Sequence, residues 1–227
     1  MASIPSTTQV GTHVILEDGV VLGERVTIGH NTTILKGTYI GDDVTIGHNC
    51  VLGIKPGGNQ RMRNTASQAD PLIIQAGTTI GHLASIYAGT RIGKNGFIGD
   101  HASIRENVLI DDTSVIGRAA IIELNTSIGK ACTIQTQAYI TGDTTLENNV
   151  FIGPDVSMAN DKYMGTEPST LTGPYIKTGA KVGHNASLLP NITIGSSSIV
   201  GAGSVVTKDV ADAVTVAGVP AKQLKTP

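Results

Sequence analysis

Residues 26–49 read "VTIGHNTTILKGTYIGDDVTIGHN", and the six residues that open the stretch, Val26–Asn31, return unchanged as Val44–Asn49. The copies start 18 residues apart, three times six, and six is the period of the whole chain. Ile28, Ile34, Ile40, Ile46 and Leu52 continue a register begun at Ile4, Val10, Leu16 and Leu22. A second register runs by sixes from Ile74 to Met158, and a third from Ile176 to Val206. Four residues after the aliphatic position sits a small or β-branched residue, as at Val26, Cys50, Ala84, Ala102 and Cys132.

Neither regular element has this period, since a helix repeats near 3.6 residues and a strand at 2. Six suits one short strand and a bend, with Gly or Asn at a corner where φ is positive. Three such units close a triangular coil of 18 residues with the aliphatic and the small residue inside. Successive coils stack as parallel strands ~4.8 Å apart. The expected fold is all-β, a parallel β-helix of about ten coils over residues 1–210, followed by a tail over 211–227.

Residues 18 apart then share a column. His30 is expected over His48, a surface pair with Thr12 beside it and no third ligand in line. In the second register His82, Asp100 and Arg118 form one column, and Tyr87, Arg105, Glu123 and Thr141 another, with Arg105 and Glu123 read as an ion pair. Cys50 and Cys132 fall on the inward small position and are expected to fill the core. Two interruptions, about residues 54–73 and 159–175, break the period and are expected to leave the prism as loops. Arg61 and Arg63 in the first loop are placed to hold a pyrophosphate by paired N–H donors.

Composition narrows the partners. The chain has 227 residues, a formal charge of −2, 15% charged and 3% aromatic residues and no Trp, so aliphatics fill the core. No basic face is evident for nucleic acid or an anionic membrane, and no apolar run approaches the ~20 residues of a membrane helix. The opening "MASIPSTTQV" lacks a charged segment followed by an apolar one, and with two Cys no disulfide scaffold is expected. The expectation is a cytoplasmic protein whose partners are small molecules or copies of itself.

The hexads, with the ending "IVGAGSVVTKDV…VAGVPAK" (Ile199–Lys222), resemble the hexapeptide-repeat acyltransferases, which have a left-handed parallel β-helix. Within that group "IGDHASIREN" (Ile98–Asn107) and "NDKYMG" (Asn160–Gly165) are similar to N-acyltransferases of nucleotide-linked amino sugars, such as the dTDP-4-amino-4,6-dideoxyglucose N-acyltransferases. The resemblance implies a homotrimer with active sites between subunits, an acyl-CoA donor lying in a groove parallel to the prism axis, and an amino-deoxy sugar as acceptor. Acyl transfer to an amine needs a free nitrogen, donors for the developing oxyanion and removal of one proton. Asp100 is the candidate for orienting or deprotonating the amine, with His82 as its partner. Tyr87, Arg105, Glu123 and Asn160 join Arg61 and Arg63 as candidate acceptor contacts. Gly201, Ala202 and Gly203 are expected to expose backbone N–H groups to pantetheine or phosphate, with Thr207, Lys208 and Lys222 on the CoA phosphates.

Many O-acetyltransferases of this group carry His just after the Asn of the second loop. Asp161 stands there instead, which favours an amine over a hydroxyl acceptor, although another small amine or hydroxyl acceptor on the same fold is the alternative. A zinc carbonic anhydrase on such a prism needs two His five residues apart. None of His13, His30, His48, His82, His101 and His184 has that spacing, so no metal is expected. A non-catalytic solenoid calls for uniform faces, and these are mixed.

Overall fold

The computed structural model describes residues 4–58, 70–166 and 170–224. Among these there is no helix, and nearly every strand is two residues long. The strands form three flat walls: wall 1 with twelve, beginning at Gln9–Val10, wall 2 with ten, beginning at Ile15–Leu16, and wall 3 with nine, beginning at Val21–Leu22. Thr27 pairs with Thr45 and Ile28 with Ile46, the 18-residue register. This is the all-β solenoid that the period requires, consistent with a left-handed β-helix.

Three findings refine the sequence reading. The solenoid has about eleven turns rather than ten. The extra rung pairs Thr215 with Ile199 and Val216 with Val200, a 16-residue step that a count by sixes misses. The strand Lys222–Gln223 then folds back antiparallel on it. Both loops also return the chain to the same walls. Thr45 pairs with Thr79 across the first, and Ser157 with Ser187 across the second. The columns therefore run unbroken past both interruptions.

Many corners carry the expected Gly or Asn at positive φ, as Gly19 and Gly37 at 77° and 79° and Asn31 and Asn49 at 56° and 58°, but Leu83, His101 and Ala119 take the same conformation at 54° to 59°. Glycine stands two positions earlier for a different reason. A Cβ on Gly47 would lie 2.6 Å from the Gly81 carbonyl carbon, and one on Gly93 would lie 2.6 Å from the Asp112 nitrogen. Close stacking of the rungs, not backbone freedom, selects the residue.

Inside, the aliphatic register forms one continuous core, with Ile28, Ile46, Ile80, Ile98, Ile116 and Ile134 at most 2% exposed. The inward small position often carries a hydroxyl, which the solenoid satisfies past its first rung, where Thr8 Oγ1 is buried without a partner. Thr32 donates to the Gly47 carbonyl at 2.9 Å, Thr78 to Gly93 at 2.9 Å and Ser114 to Gly129 at 2.7 Å. Cys50 and Cys132 are buried and free, and do the same work, with Sγ 3.1 Å from the Gly81 carbonyl and 3.0 Å from that of Glu147. Burial pushes both thiols up, away from the reactive thiolate.

Candidate functional site

Three edges join the walls, and each carries different chemistry. Between walls 1 and 2 the column runs Thr12, His30, His48, His82, Asp100 and Arg118, and continues to His184 and Ala202. His13 and His101 occupy the next corner position, so all six histidines of the chain lie on this one edge. The expected His30–His48 pair is a triple. His48 stacks on His30 at 5.0 Å between ring centroids and on His82 at 4.9 Å, with planes within 7° of parallel. The expectation of no third ligand in line fails because the first loop separates His48 from His82 by 34 residues but keeps their register.

Backbone hydrogen bonds fix these rings. The Thr12 N–H donates to His30 Nδ1 at 2.8 Å, the His30 N–H to His48 Nδ1 at 2.7 Å and the His48 N–H to His82 Nδ1 at 2.9 Å. The His82 N–H donates to Asp100 Oδ1 at 2.8 Å. A backbone amide only donates, so each Nδ1 holds a lone pair and the ring proton sits on Nε2. His82 therefore offers a donor outward rather than a base, and Asp100 keeps Oδ2 for other partners. Rings 5 Å apart do not converge on one metal, whose bonds to imidazole are about 2.0–2.1 Å. Among the described residues no group of three or more His, Cys, Asp or Glu is placed to hold a metal ion.

The edge between walls 3 and 1 uses carboxylates and Asn for the same backbone task. Asp42 accepts the Glu24 N–H at 2.9 Å, Asp112 that of Lys94 at 2.8 Å and Asn148 that of Lys130 at 2.8 Å. Here the leftover oxygen of Asp112 lies 3.8 Å from the Lys130 ammonium, and the neighbouring Asp43 pairs with Arg25 at 2.6 Å.

The third edge, between walls 2 and 3, holds the other expected residues. The Arg105 guanidinium lies 5.0 Å over the Tyr87 ring, and its NH1 is 3.7 Å from Glu123. Its main partner is one that sequence reading missed. Glu106 is fully buried and takes Nε at 2.8 Å and NH2 at 3.1 Å. The hydrogen bond to Glu106 raises the Arg105 pKa, so this arginine is committed within the protein. Corner position alone gives no signal for Glu106, since Leu124 and Asn160 hold equivalent places.

Farther along this edge Asn160 starts the second loop, donating to the Gly142 carbonyl at 3.2 Å, while its own carbonyl accepts the Thr172 N–H at 3.0 Å. Asp161, where a catalytic His would stand, accepts the N–H groups of Tyr163 at 2.9 Å and Gly165 at 2.7 Å. It shapes the loop. The loop walls a cavity of about 610 Å³ lined by Asn160, Lys162, Tyr163, Leu189, Pro190, Thr207 and Lys208 among others. Lys162 and Lys208 thus stand beside one carboxylate, Asp209, and the hydroxyls of Tyr163, Thr170, Thr172 and Thr207, with Leu189, Pro190 and Ile192 as the apolar part.

The expected site is divided. Asp100, His82, Gly201, Ala202 and Gly203 lie on the histidine edge, while Tyr87, Arg105, Glu123, Asn160, Thr207 and Lys208 lie on the cavity edge, a wall's width away. The glycines do not present free amides: the Gly201 N–H donates to the Val216 carbonyl and the Gly203 N–H to that of His184, both within the solenoid. Lys222 sits in the final antiparallel strand on wall 1, away from the cavity. Arg61 and Arg63 lie outside the described residues.

Comparison with known proteins addresses the repeat itself. The family model for the bacterial transferase hexapeptide (six repeats) matches residues 19–53 and 173–208. These two stretches carry the transferase hexapeptide repeat. Over 49 residues the chain is 51% identical to serine acetyltransferase of Buchnera aphidicola subsp. Acyrthosiphon pisum, covering 22% of this chain and 18% of that protein. Over 52 residues it is 46% identical to the serine acetyltransferase of B. aphidicola subsp. Schizaphis graminum, covering 23% and 20%. The chain thus spans about a fifth of the length of the curated relatives it matches. Among solved structures, a GDP-perosamine N-acetyltransferase variant of Caulobacter crescentus, in complex with CoA and GDP-perosamine, is 26% identical over 68% of this chain and 54% of that one, at a TM-score of 0.35. No helix among the described residues is long and apolar enough to cross a membrane.

Proposed function

We propose that this hexapeptide-repeat chain is an acyl-CoA-dependent N-acyltransferase that acylates the amino group of a nucleotide-linked amino-deoxy sugar, and that it works as a homotrimer. The observation that carries the reading is the cavity. One side of it, Leu189 to Lys208, comes from the stretch that matches the transferase hexapeptide. Its Lys162 and Lys208 ammonium groups suit phosphates, and its Leu189 and Pro190 surface suits a pantetheine arm. Thr207 lies five rungs from Arg105, about 24 Å along the axis, a span suited to an extended CoA.

The division of the site is the argument for a trimer. A histidine edge from one copy set against a cavity edge from its neighbour joins Asp100 to the donor pocket, which a single chain keeps apart. In the joined site Asp100 Oδ2 accepts from the acceptor amine and orients its lone pair toward the thioester carbon. His82 Nε2–H donates to the carbonyl oxygen as negative charge develops there. The C–N bond forms, the C–S bond breaks, and the proton lost by nitrogen passes to the departing thiolate. No external base is required, in keeping with Asp161 being occupied by backbone amides.

The identity with serine acetyltransferases supports a second reading, transfer to a small hydroxyl acceptor on the same scaffold. One experiment separates them: thiol release from acetyl-CoA measured against a panel of nucleotide-linked amino sugars, with serine as the competing acceptor. Turnover confined to the amino sugars supports the proposal. Turnover with serine alone replaces it, and turnover with neither overturns both.

A further inference from the structure

We infer that the imidazole column is the binding site for the diphosphate of the acceptor, so that the nucleotide-linked sugar lies along the histidine edge with its amine at Asp100 and its nucleoside toward the N-terminal end. The ligand's identity rests on the acyltransfer reading, and the site itself rests on the geometry of the edge.

The corner needs an acceptor for a backbone N–H, and Asp or Asn supplies one on the carboxylate edge. Imidazole does this with Nδ1 and leaves Nε2–H pointing the other way, a donor that no corner requires. His30, His48 and His82 thus present three donors in line, spaced as their rings are at 5.0 and 4.9 Å. His30 and His82 are exposed and His48 half-buried.

The surroundings favour an anion. At the two outer corner positions the four rungs before Asp100 carry Thr12 and His13, His30 and Asn31, His48 and Asn49, and His82 and Leu83, with no carboxylate. The outward residues flanking the stack are Thr27, Thr45 and Thr79 on wall 1 and Thr33, Val51 and Ser85 on wall 2, again neutral and rich in hydroxyls. A phosphate oxygen bonded by neutral donors gains a charge-assisted hydrogen bond without a competing negative group nearby.

The spacing also fits the ligand. Asp100 is the only acidic group in the column's first six positions, and it lies one rung past His82. With the amine at Asp100, a hexose ring covers roughly one rung spacing, ~4.8 Å. Its anomeric oxygen then arrives beside His82, and the two phosphates fall against His48 and His30. Arg61 and Arg63 are not needed for this placement.

The test uses the full-length protein without acyl donor. Nucleoside diphosphate, inorganic pyrophosphate and the bare nucleoside are titrated calorimetrically against wild type, His48→Asn and His30→Asn. Asn keeps an acceptor for the backbone N–H, as Asn148 does for Lys130, while its Nδ2–H donors sit at the depth of that acceptor and fall short of the Nε2 position. The expected result is nucleoside diphosphate binding weakened about tenfold in each variant with melting temperature unchanged, and no binding of the nucleoside. Pyrophosphate binding lost in the same variants supports the diphosphate as the recognised group. In wild type the Nε2–H resonances of His30 and His48 should shift on adding nucleoside diphosphate, a reading that stands even if a variant melts early. Unchanged affinity in both variants, or shifts confined to other residues, overturns the inference. Thiol release is measured separately. Binding at the column without turnover on any amino sugar strikes the functional proposal alone, and turnover with unaltered KM in both variants strikes this inference alone.

Discussion

On the carboxylate edge Asp42 Oδ1 accepts the Glu24 N–H at 2.9 Å, and on the histidine edge His48 Nδ1 accepts the His30 N–H at 2.7 Å. The rungs, the turn and the stacked glycines are the same on both. The side chains differ in what remains once the backbone is satisfied. On the carboxylate edge some of these groups bond further within the protein: Tyr175 and Thr178 cap Glu147, and Lys177 reaches the Asp212 oxygen that already accepts the Ser196 N–H, at 3.3 Å. On the histidine edge a row of N–H donors and one carboxylate oxygen face outward. On the proposals made above, the functional edge is the one whose imidazoles keep an outward N–H once the corner bond is made.

The largest effect should fall equally on both edges. Gly47→Ala and Gly93→Ala each drive a methyl group into the backbone of the next rung, and each should cost about 3 kcal/mol in denaturant unfolding. A small cost at one and a large cost at the other would break the claim that the edges share one scaffold.

Next comes a change that should separate the edges. Asp100→Asn keeps the acceptor for the His82 N–H but removes the charge that orients the amine. Turnover should fall about a hundredfold with the melting temperature unmoved. Asp112→Asn, the equivalent change on the carboxylate edge, should leave turnover intact. Full activity in both Asp100→Asn and Asp100→Ala would remove Asp100 from the chemistry.

A smaller effect sharpens the shared backbone role. His48→Ala and Asp112→Ala each strand one corner amide and should cost about 1 kcal/mol, and Asn at either position should recover most of it. The smallest concerns acid. Hydrogen bonds from Tyr175 first, and then Thr178, hold the Glu147 carboxyl below the ordinary carboxylate range. A depressed folded pKa gives stability that is present above the unfolded value, ~4.3, and lost as pH falls through the folded one. The melting temperature of Glu147→Gln should therefore converge on that of wild type as pH drops below about 4. A constant gap across that range would contradict the assignment.

These contrasts explain which features the sequence discloses. A solenoid repeats one environment, so Ile28, Ile46 and Ile80 reveal the core by spacing alone, and Thr32, Cys50 and Ser114 reveal the inner small position. Columns within one register, such as His82 to Asp100, are equally legible. His82 joining His48 is not, because the first loop inserts a length that is not a multiple of six while the walls stay in register. Glu106 is hidden for another reason. Its column holds Ala88, Leu124 and Asn160, a mixture from which a buried acid cannot be read. The division of the expected site over two edges follows from the order of the walls, which the hexads specify. The presentation of Nε2–H, by contrast, needs the atomic hydrogen bonds.

Both the catalytic and the diphosphate proposals depend on which ring nitrogen carries the proton along the histidine edge. Two-bond ¹H–¹⁵N correlation spectra of histidine-labelled protein at neutral pH read this directly. His30, His48 and His82 should each show the Nε2–H tautomer with Nδ1 as a hydrogen-bonded lone pair. An Nδ1–H tautomer at His48 or His82, or averaging between the two forms, would contradict the backbone bonds on which both the catalytic and the diphosphate assignments stand.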